Sequence, residues 1–234
     1  MTESDVKILG EWPSPFVMRA QIALNIKSVG YEFLEEKFLE EKLRLKSDLL
    51  IKSNPVYKKI PVLIHGDKPI CESLVIVQYI DETWSSGPSI LPSTAYDRAT
   101  ARFWAAYVDD KWVPALSELA KAQGEEAEAE AVKQLLAGTA LLEEAFQKCS
   151  KGKAFFGGES IGYLDIALGS FLGWIRVIEL NGLTILDAEK TPGLVGWAEN
   201  FCANSAVKEV MPETGKLAEF AKMIFAKLKA PPST

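Results

Sequence analysis

Apolar and polar positions follow two different rhythms along the chain. Over residues 1–84 short apolar runs alternate with amphipathic stretches. Val6-Lys7-Ile8-Leu9-Gly10-Glu11-Trp12 reads as a strand, and the turn signal after it opens a helix. In that helix Phe16, Ala20, Ala23 and Lys27 fall on one stripe, Ile22 and Ile26 lie beside it, and Gly30 supplies a stop. Tyr31-Glu32-Phe33-Leu34 predicts a second strand, followed by a charged stretch from Glu35 to Ser47 and the apolar patch Leu49-Leu50-Ile51. Ile60 to Ile64 and Pro69-Ile70-Cys71, separated by His65-Gly66-Asp67-Lys68, predict two short strands joined by a turn. Ser73 is placed to cap a further helix in which Ile76, Val77 and Ile80 keep the three-to-four spacing.

The resulting order, β-α-β-α-β-β-α, is that of a thioredoxin-like α/β domain. Ser85-Ser86-Gly87-Pro88 through Leu91-Pro92-Ser93 is polar and turn-rich, so residues 85–94 read as a linker. Beyond it the strand rhythm stops and residues 95–234 predict an all-α domain. Helical patterns cover Ala95 to Gln123, Glu125 to Lys148, Tyr163 to Ile178, Pro192 to Ala203 and Thr214 to Leu228. Pro114 removes a backbone donor and should kink or interrupt the first of these. The acidic run from Glu125 to Glu130 suits a solvated helix start. Gly162 can cap the next helix with Asp165 three positions on, and Ile166-Ala167-Leu168 onward is apolar all round, as befits a buried central helix.

Composition narrows the class. The 234 residues and 48% hydrophobic content supply a sizeable core, and a net charge of −6 argues against a broad nucleic-acid surface. Cys71, Cys149 and Cys202 show no CxxC spacing and cannot all pair within one chain, so a reduced compartment is expected and each reads as a small core residue. The start, MTESDVK, is polar with no apolar signal core, and no window approaches a membrane span; a cytoplasmic location is the expectation. His65, the single histidine, has no ligand-spaced partners and is a poor metal or triad candidate.

The chemistry concentrates where strands give way to helices. Ser14-Pro15-Phe16 places a hydroxyl at a helix N-terminus, where proline surrenders only a donor that would be unpaired anyway. Such an end attracts anions. Ile60-Pro61, by position alone, either begins an edge strand or displays its backbone to a ligand.

Taken together, Ser14-Pro15-Phe16 with Arg19, the run Asn54-Pro55-Val56-Tyr57-Lys58-Lys59-Ile60-Pro61-Val62-Leu63, Glu72-Ser73 and the Asp165 capping segment resemble the cytosolic glutathione transferases. Trp12-Pro13-Ser14-Pro15-Phe16 and the run from Asn54 to Asp81 resemble the plant tau class in particular. The resemblance covers nearly the whole chain. It implies glutathione as co-substrate with no bound cofactor or metal, a homodimer, and conjugation of the glutathione thiolate to hydrophobic electrophiles, with glutathione peroxidase side activity.

The resemblance also distributes roles. Ser14 would stabilise the glutathione thiolate without attacking, since a donor to the charged form lowers a thiol pKa. Pro61 matches the family's cis-proline, with Ile60 pairing its main chain to the cysteinyl unit. Glu72 and Ser73 match the pair that receives the γ-glutamyl end, and Lys46 and Lys59 the cations that neutralise the glycyl carboxylate. The stretch from Phe38 to Arg44 is longer than the family's usual connection, which makes Lys42 a competitor of Lys46. The electrophile site would be lined by Trp12, Phe16, Tyr107, Lys111, Val113, Ser117 and Trp174; Tyr107, like Trp104, reads equally well as plain core. Two other readings stand beside this one. A non-catalytic carrier (ligandin) of hydrophobic small molecules could use the same pocket, and a glutathione-dependent oxidoreductase would need a cysteine where this chain has Ser14.

Overall fold

A computed structural model describes residues 5–36 and 46–229. The first unit comprises residues 1–91 together with Asn204–Met211. Its strands are β1 (Val6–Gly10), β2 (Glu32–Glu35), β3 (Val62–His65) and β4 (Lys68–Cys71), and its first three helices are α1 (Pro15–Ile26), α2 (Asp48–Ser53) and α3 (Ser73–Thr83). The sheet order is β2-β1-β3-β4. β1 runs parallel to β2 and antiparallel to β3, with Ile8 opposite both Phe33 and Leu63. β3 and β4 form the expected hairpin, and Gly66 takes the positive φ of 62° that the turn requires.

The seven predicted elements are present in the predicted order, with altered ends. β1 stops at Gly10 instead of running to Trp12, because the chain turns there to present Ser14. A Cβ on Gly10 would lie 2.6 Å from a methyl of Val17, so only glycine allows α1 to pack this close to the strand end. Gly30 does not end α1. The helix closes at Ile26, Lys27 caps it, and Ser28 takes the left-handed conformation at φ 54°. Nor is α1 the single-striped helix expected: Val17, Met18, Arg19, Ala20, Ile22, Ala23 and Leu24 are all buried, while Phe16 and Ile26 are only partly so.

Two contacts close this unit. The Lys27 ammonium meets Asp81 at 2.7 Å, and the Asp81 carboxylate accepts from the backbone N–H groups of Ile90 and Leu91, tying the connecting segment to α1 and α3. The short helix α10 (Ser205–Lys208) packs on α1, where Asn25 donates to the Ala206 carbonyl. Segment 204–211 was expected in the helical domain by its place in the chain; its packing groups it with the first unit.

The second unit comprises residues 92–203 and 212–234. It contains α4 (Ala95–Tyr107), a π-helical turn (Val108–Trp112), α5 (Val113–Lys121), α6 (Glu125–Ser150), α7 (Tyr163–Gly169), α8 (Leu172–Glu179), α9 (Pro192–Ala203) and α11 (Thr214–Lys229). The expected interruption near Pro114 takes the form of that π turn. The helix expected over Tyr163 to Ile178 is two helices, broken at Ser170 and Phe171. α7 is buried at every position, as its sequence requires. The Asp165 carboxylate accepts from the N–H groups of Phe156, Gly157 and Gly162 and from the Trp197 indole, at 2.7–2.8 Å. Each cysteine is a free thiol; the departure from expectation is that all three are half-buried and none is a fully buried core residue.

Candidate functional site

Ser14 occupies the N-cap of α1 with extended backbone, and its Oγ accepts from the Val17 N–H at 3.3 Å. A hydroxyl carries one donor and two acceptor lone pairs. Because the capping bond uses a lone pair, the Ser14 proton remains available to a group placed against the helix end. The next turn brings Phe16 into a small cleft of about 150 Å³ lined also by Lys59, Ile60, Pro61, Glu72 and Ser73. All but Phe16 of these were assigned to glutathione from the sequence, and Phe16 was assigned to the electrophile.

The far wall of the cleft is the loop into β3. Asn54 is 3% exposed, and its carboxamide accepts from the Tyr57 N–H and donates to the Lys59 carbonyl, which fixes the turn between α2 and Ile60. The Ile60-Pro61 peptide is cis. Lys59 is exposed at the cleft, whereas Lys46 lies outside its lining and donates to the Lys58 carbonyl. Lys42 lies outside the described residues. Ser47 caps α2 and is held by Glu36, whose carboxylate accepts from the Ser47 N–H and hydroxyl, both at 2.7 Å.

Ser73 is not the cap predicted for α3. That position belongs to Glu72, whose backbone sits at φ 69° and whose side chain makes no capping bond. A positive φ at a residue with a long side chain costs on the order of 1–3 kcal/mol and is characteristic of ligand sites. Glu72, whose side chain does not cap the helix, borders the cleft instead. Ser73 is the first helical residue, and its Oγ accepts from Arg19 Nη1 at 3.1 Å. Arg19 is fully buried and its guanidinium lies 5.1 Å over the Phe16 ring.

Arg19 and Asn54 are the two residues whose roles the sequence did not reveal. The signals were an arginine inside an apolar helical run and an Asn-Pro pair opening a turn. Arg19 joins the N-terminal turns of α1 and α3, so that both helix ends border one cleft; Asn54 sets the third side.

In the helical unit, Tyr107 and Trp174 are half-buried, Lys111 is exposed, and Val113 and Ser117 are half-buried. Tyr107 packs edge-on against Trp104 at 5.4 Å, and burial raises its phenol above the ordinary value. Trp174 packs against Phe220, and the Ser117 hydroxyl donates to the Val113 carbonyl. In the first unit Trp12 is half-buried. A larger cavity of about 590 Å³ lies on Tyr96, Trp104, Cys149, Phe156 and Tyr163 and contains none of the expected site residues. Its three bordering lysines are each met by a carboxylate, Glu144, Asp97 or Glu159, so size without chemistry does not make it the functional site.

Comparison with known proteins decides the family. Residues 4–82 match the glutathione S-transferase N-terminal domain, and residues 98–205 the C-terminal domain. Glutathione S-transferase U17 of Arabidopsis thaliana is 64% identical over 98% of this chain and 100% of its own length. The chain belongs to the tau class of the glutathione S-transferases. A tau-class transferase from mango, Mangifera indica, is 66% identical and superposes with a TM-score of 0.89 over 94% of this chain and 98% of its own. A rice transferase solved in complex with glutathione is 36% identical, with a TM-score of 0.85 over 95% of this chain and 98% of its own. The transferase thus has the thioredoxin-like and all-helical domains that the sequence predicted, and glutathione is its co-substrate. No described helix is long and apolar enough to cross a membrane.

Proposed function

We propose that the cleft on α1, α3 and the β3 loop holds glutathione with its sulfur at Ser14, and that this transferase joins that sulfur to carbon in hydrophobic electrophiles. The observation that carries the reading is the Ser14 hydroxyl, which spends a lone pair on Val17 and keeps its proton for the sulfur. With the positive end of α1 behind it, that donor favours thiolate over thiol. The thiol proton leaves to solvent. The thiolate then attacks the electrophilic carbon, a C–S bond forms, and in an aryl halide the halide departs with its bonding pair.

The remaining roles follow the chemistry of the cleft. Glu72 meets the γ-glutamyl ammonium, and the Ser73 hydroxyl, which accepts from Arg19, donates its own proton to the adjoining carboxylate. The Ile60 backbone pairs with the cysteinyl unit. Lys59 neutralises the glycyl carboxylate from the cleft edge, with Lys46 bracing the loop through the Lys58 carbonyl. Trp12, Phe16, Tyr107, Lys111, Val113, Ser117 and Trp174 are the residues proposed to meet the electrophile. The working form is a cytoplasmic homodimer.

An oxidoreductase role has less support. It requires an activated cysteine thiolate, whereas burial raises all three thiols above their ordinary value, and nearby Glu72 raises Cys71 further. The test is Ser14→Ala assayed with glutathione against an aryl halide, an isothiocyanate and an organic hydroperoxide. Loss of one donor to developing charge costs about 10²–10³ in rate. Conjugation within twofold of the parent would remove Ser14 from the mechanism. Binding of an apolar fluorophore with no turnover by the parent would favour a carrier.

A further inference from the structure

The π-helical turn at Val108–Trp112 is an element that the conjugation chemistry leaves unexplained. Its local cause is Pro114. In a continuous α-helix the Pro114 ring would press on the Asp110 carbonyl, which would also lose its N–H partner. The chain instead inserts one residue, and the Val113 N–H reaches back five positions to the Val108 carbonyl. One inserted residue turns everything after it by about 100° relative to α4.

The rotation changes which side chains share a face. In an α-helix Tyr107 would stand above Lys111. Here it shares a face with Trp112, five positions on. Both converge on Gly138 of α6, where a Cβ would lie 3.1 Å from the Tyr107 hydroxyl and 3.3 Å from Trp112 Cδ1. Trp112 is 2% exposed, and its indole N–H donates to Thr139 Oγ1 at 3.0 Å. Lys111 is thereby swung out of the helix interface and exposed.

We infer that this turn sets the transferase's electrophile selectivity, with Pro114 as its cause, Gly138 as its floor, and both acting as positioning residues through Tyr107 and Lys111. The inference rests on the proposed reading that Tyr107, Lys111 and Val113 meet the electrophile. Trp112 is locked by Thr139, so a methyl at position 138 must displace the Tyr107 phenol by a few tenths of an ångström. Displacements of reactant-facing groups approaching 1 Å cost about 10²-fold, which makes a smaller shift worth about fivefold, unequally for electrophiles of different shape.

The experiment compares the full-length parent, Gly138→Ala, Tyr107→Phe and Gly138→Ala/Tyr107→Phe, measuring kcat/KM for a monocyclic aryl halide and for a phenethyl isothiocyanate, and KM for glutathione. Gly138→Ala should change the ratio of the two kcat/KM values by about fivefold while KM for glutathione stays within about twofold. Removing the crowded hydroxyl should return the double variant to the ratio of Tyr107→Phe alone. Pro114→Ala, which permits the turn to revert to α-helix, should change the ratio by a similar factor, and it decides the matter if Gly138→Ala does not fold. An unchanged ratio in the folded variants, or an equal loss on both electrophiles, overturns the inference. A parent that conjugates neither electrophile would overturn the proposed function itself, a result separable from a parent that conjugates both while its variants keep the ratio.

Discussion

At the scale of single residues, this transferase repeatedly places a side-chain oxygen where backbone N–H groups lack partners. Ser14 and Ser47 cap helices, Glu143 accepts from Gly193 and Leu194 at the start of α9, and Asp165 gathers four donors. Asp165 displays the competition most openly. Total burial pushes its carboxyl up to about 6 from 3.8, although the four donors favour the anion. A folded-state pKa above the unfolded one means that the folded protein holds a proton which the unfolded chain has released. Its contribution is therefore fully present below pH 3.8 and lost as pH rises to about 6. Asp165→Asn removes that titration and leaves donors unmatched, so it should destabilise the protein by at least about 2 kcal/mol. Denaturant titrations of both proteins across pH should show the gap between them narrowing from about pH 4 to 6 and level above it. A gap that widens as pH rises would mean that the donors outweigh burial. Cation substitutions at the cleft have a different signature. Lys59→Ala should raise KM for glutathione several-fold with kcat nearly unchanged, since an exposed pair is worth roughly 0–1 kcal/mol, and the effect should fade in added salt; a large fall in kcat would show that Lys59 does more than hold substrate.

At the scale of elements, the sequence was most legible where one residue type has one local meaning. Ser-Pro marked the start of α1, Gly66 the hairpin turn, and Gly162 with Asp165 the start of α7. Ends were read less well because they depend on contacts that sequence spacing does not encode. α1 closes at Ile26 rather than at Gly30 since Lys27 is drawn to Asp81, fifty-four positions away. Ser73 looked like a cap, yet its hydroxyl is engaged by Arg19 from another helix while Glu72 bears the positive φ. Pro114 announced a break, but spacing alone did not distinguish a kink or a loop from the inserted residue observed, after which Trp112 packs on Gly138 and bonds Thr139 across the interface. Close helix approach makes its own prediction. A Cβ on Gly169 in α7 would sit 2.4 Å from the buried Phe201 ring of α9. Gly169→Ala should cost about 1–3 kcal/mol, read as a lowered denaturant midpoint; an unchanged midpoint would mean the ring has room to move.

At the scale of the whole molecule, the division of labour between an α/β unit and a helical unit was legible from the change of rhythm near residue 90, because periods of two and 3.6 residues rarely imitate each other. The return of segment 204–211 to the first unit was not, since nothing in its composition distinguishes it from its helical neighbours. The proposed glutathione site was legible only as a set: a capping serine, a cis-proline position and a Glu-Ser pair are each common, and only in combination do they support that proposal. Dimerisation belongs to this scale, and light scattering should give about twice 25.8 kDa, whereas a particle of 25.8 kDa at every concentration would contradict a homodimer. The central claim is that Ser14 stabilises a thiolate. Titrating the ultraviolet absorbance of enzyme-bound glutathione against pH measures it directly. The parent should ionise well below the free thiol's value of about 8.5, and Ser14→Ala should move the midpoint back toward it; equal midpoints in the two proteins would contradict the account.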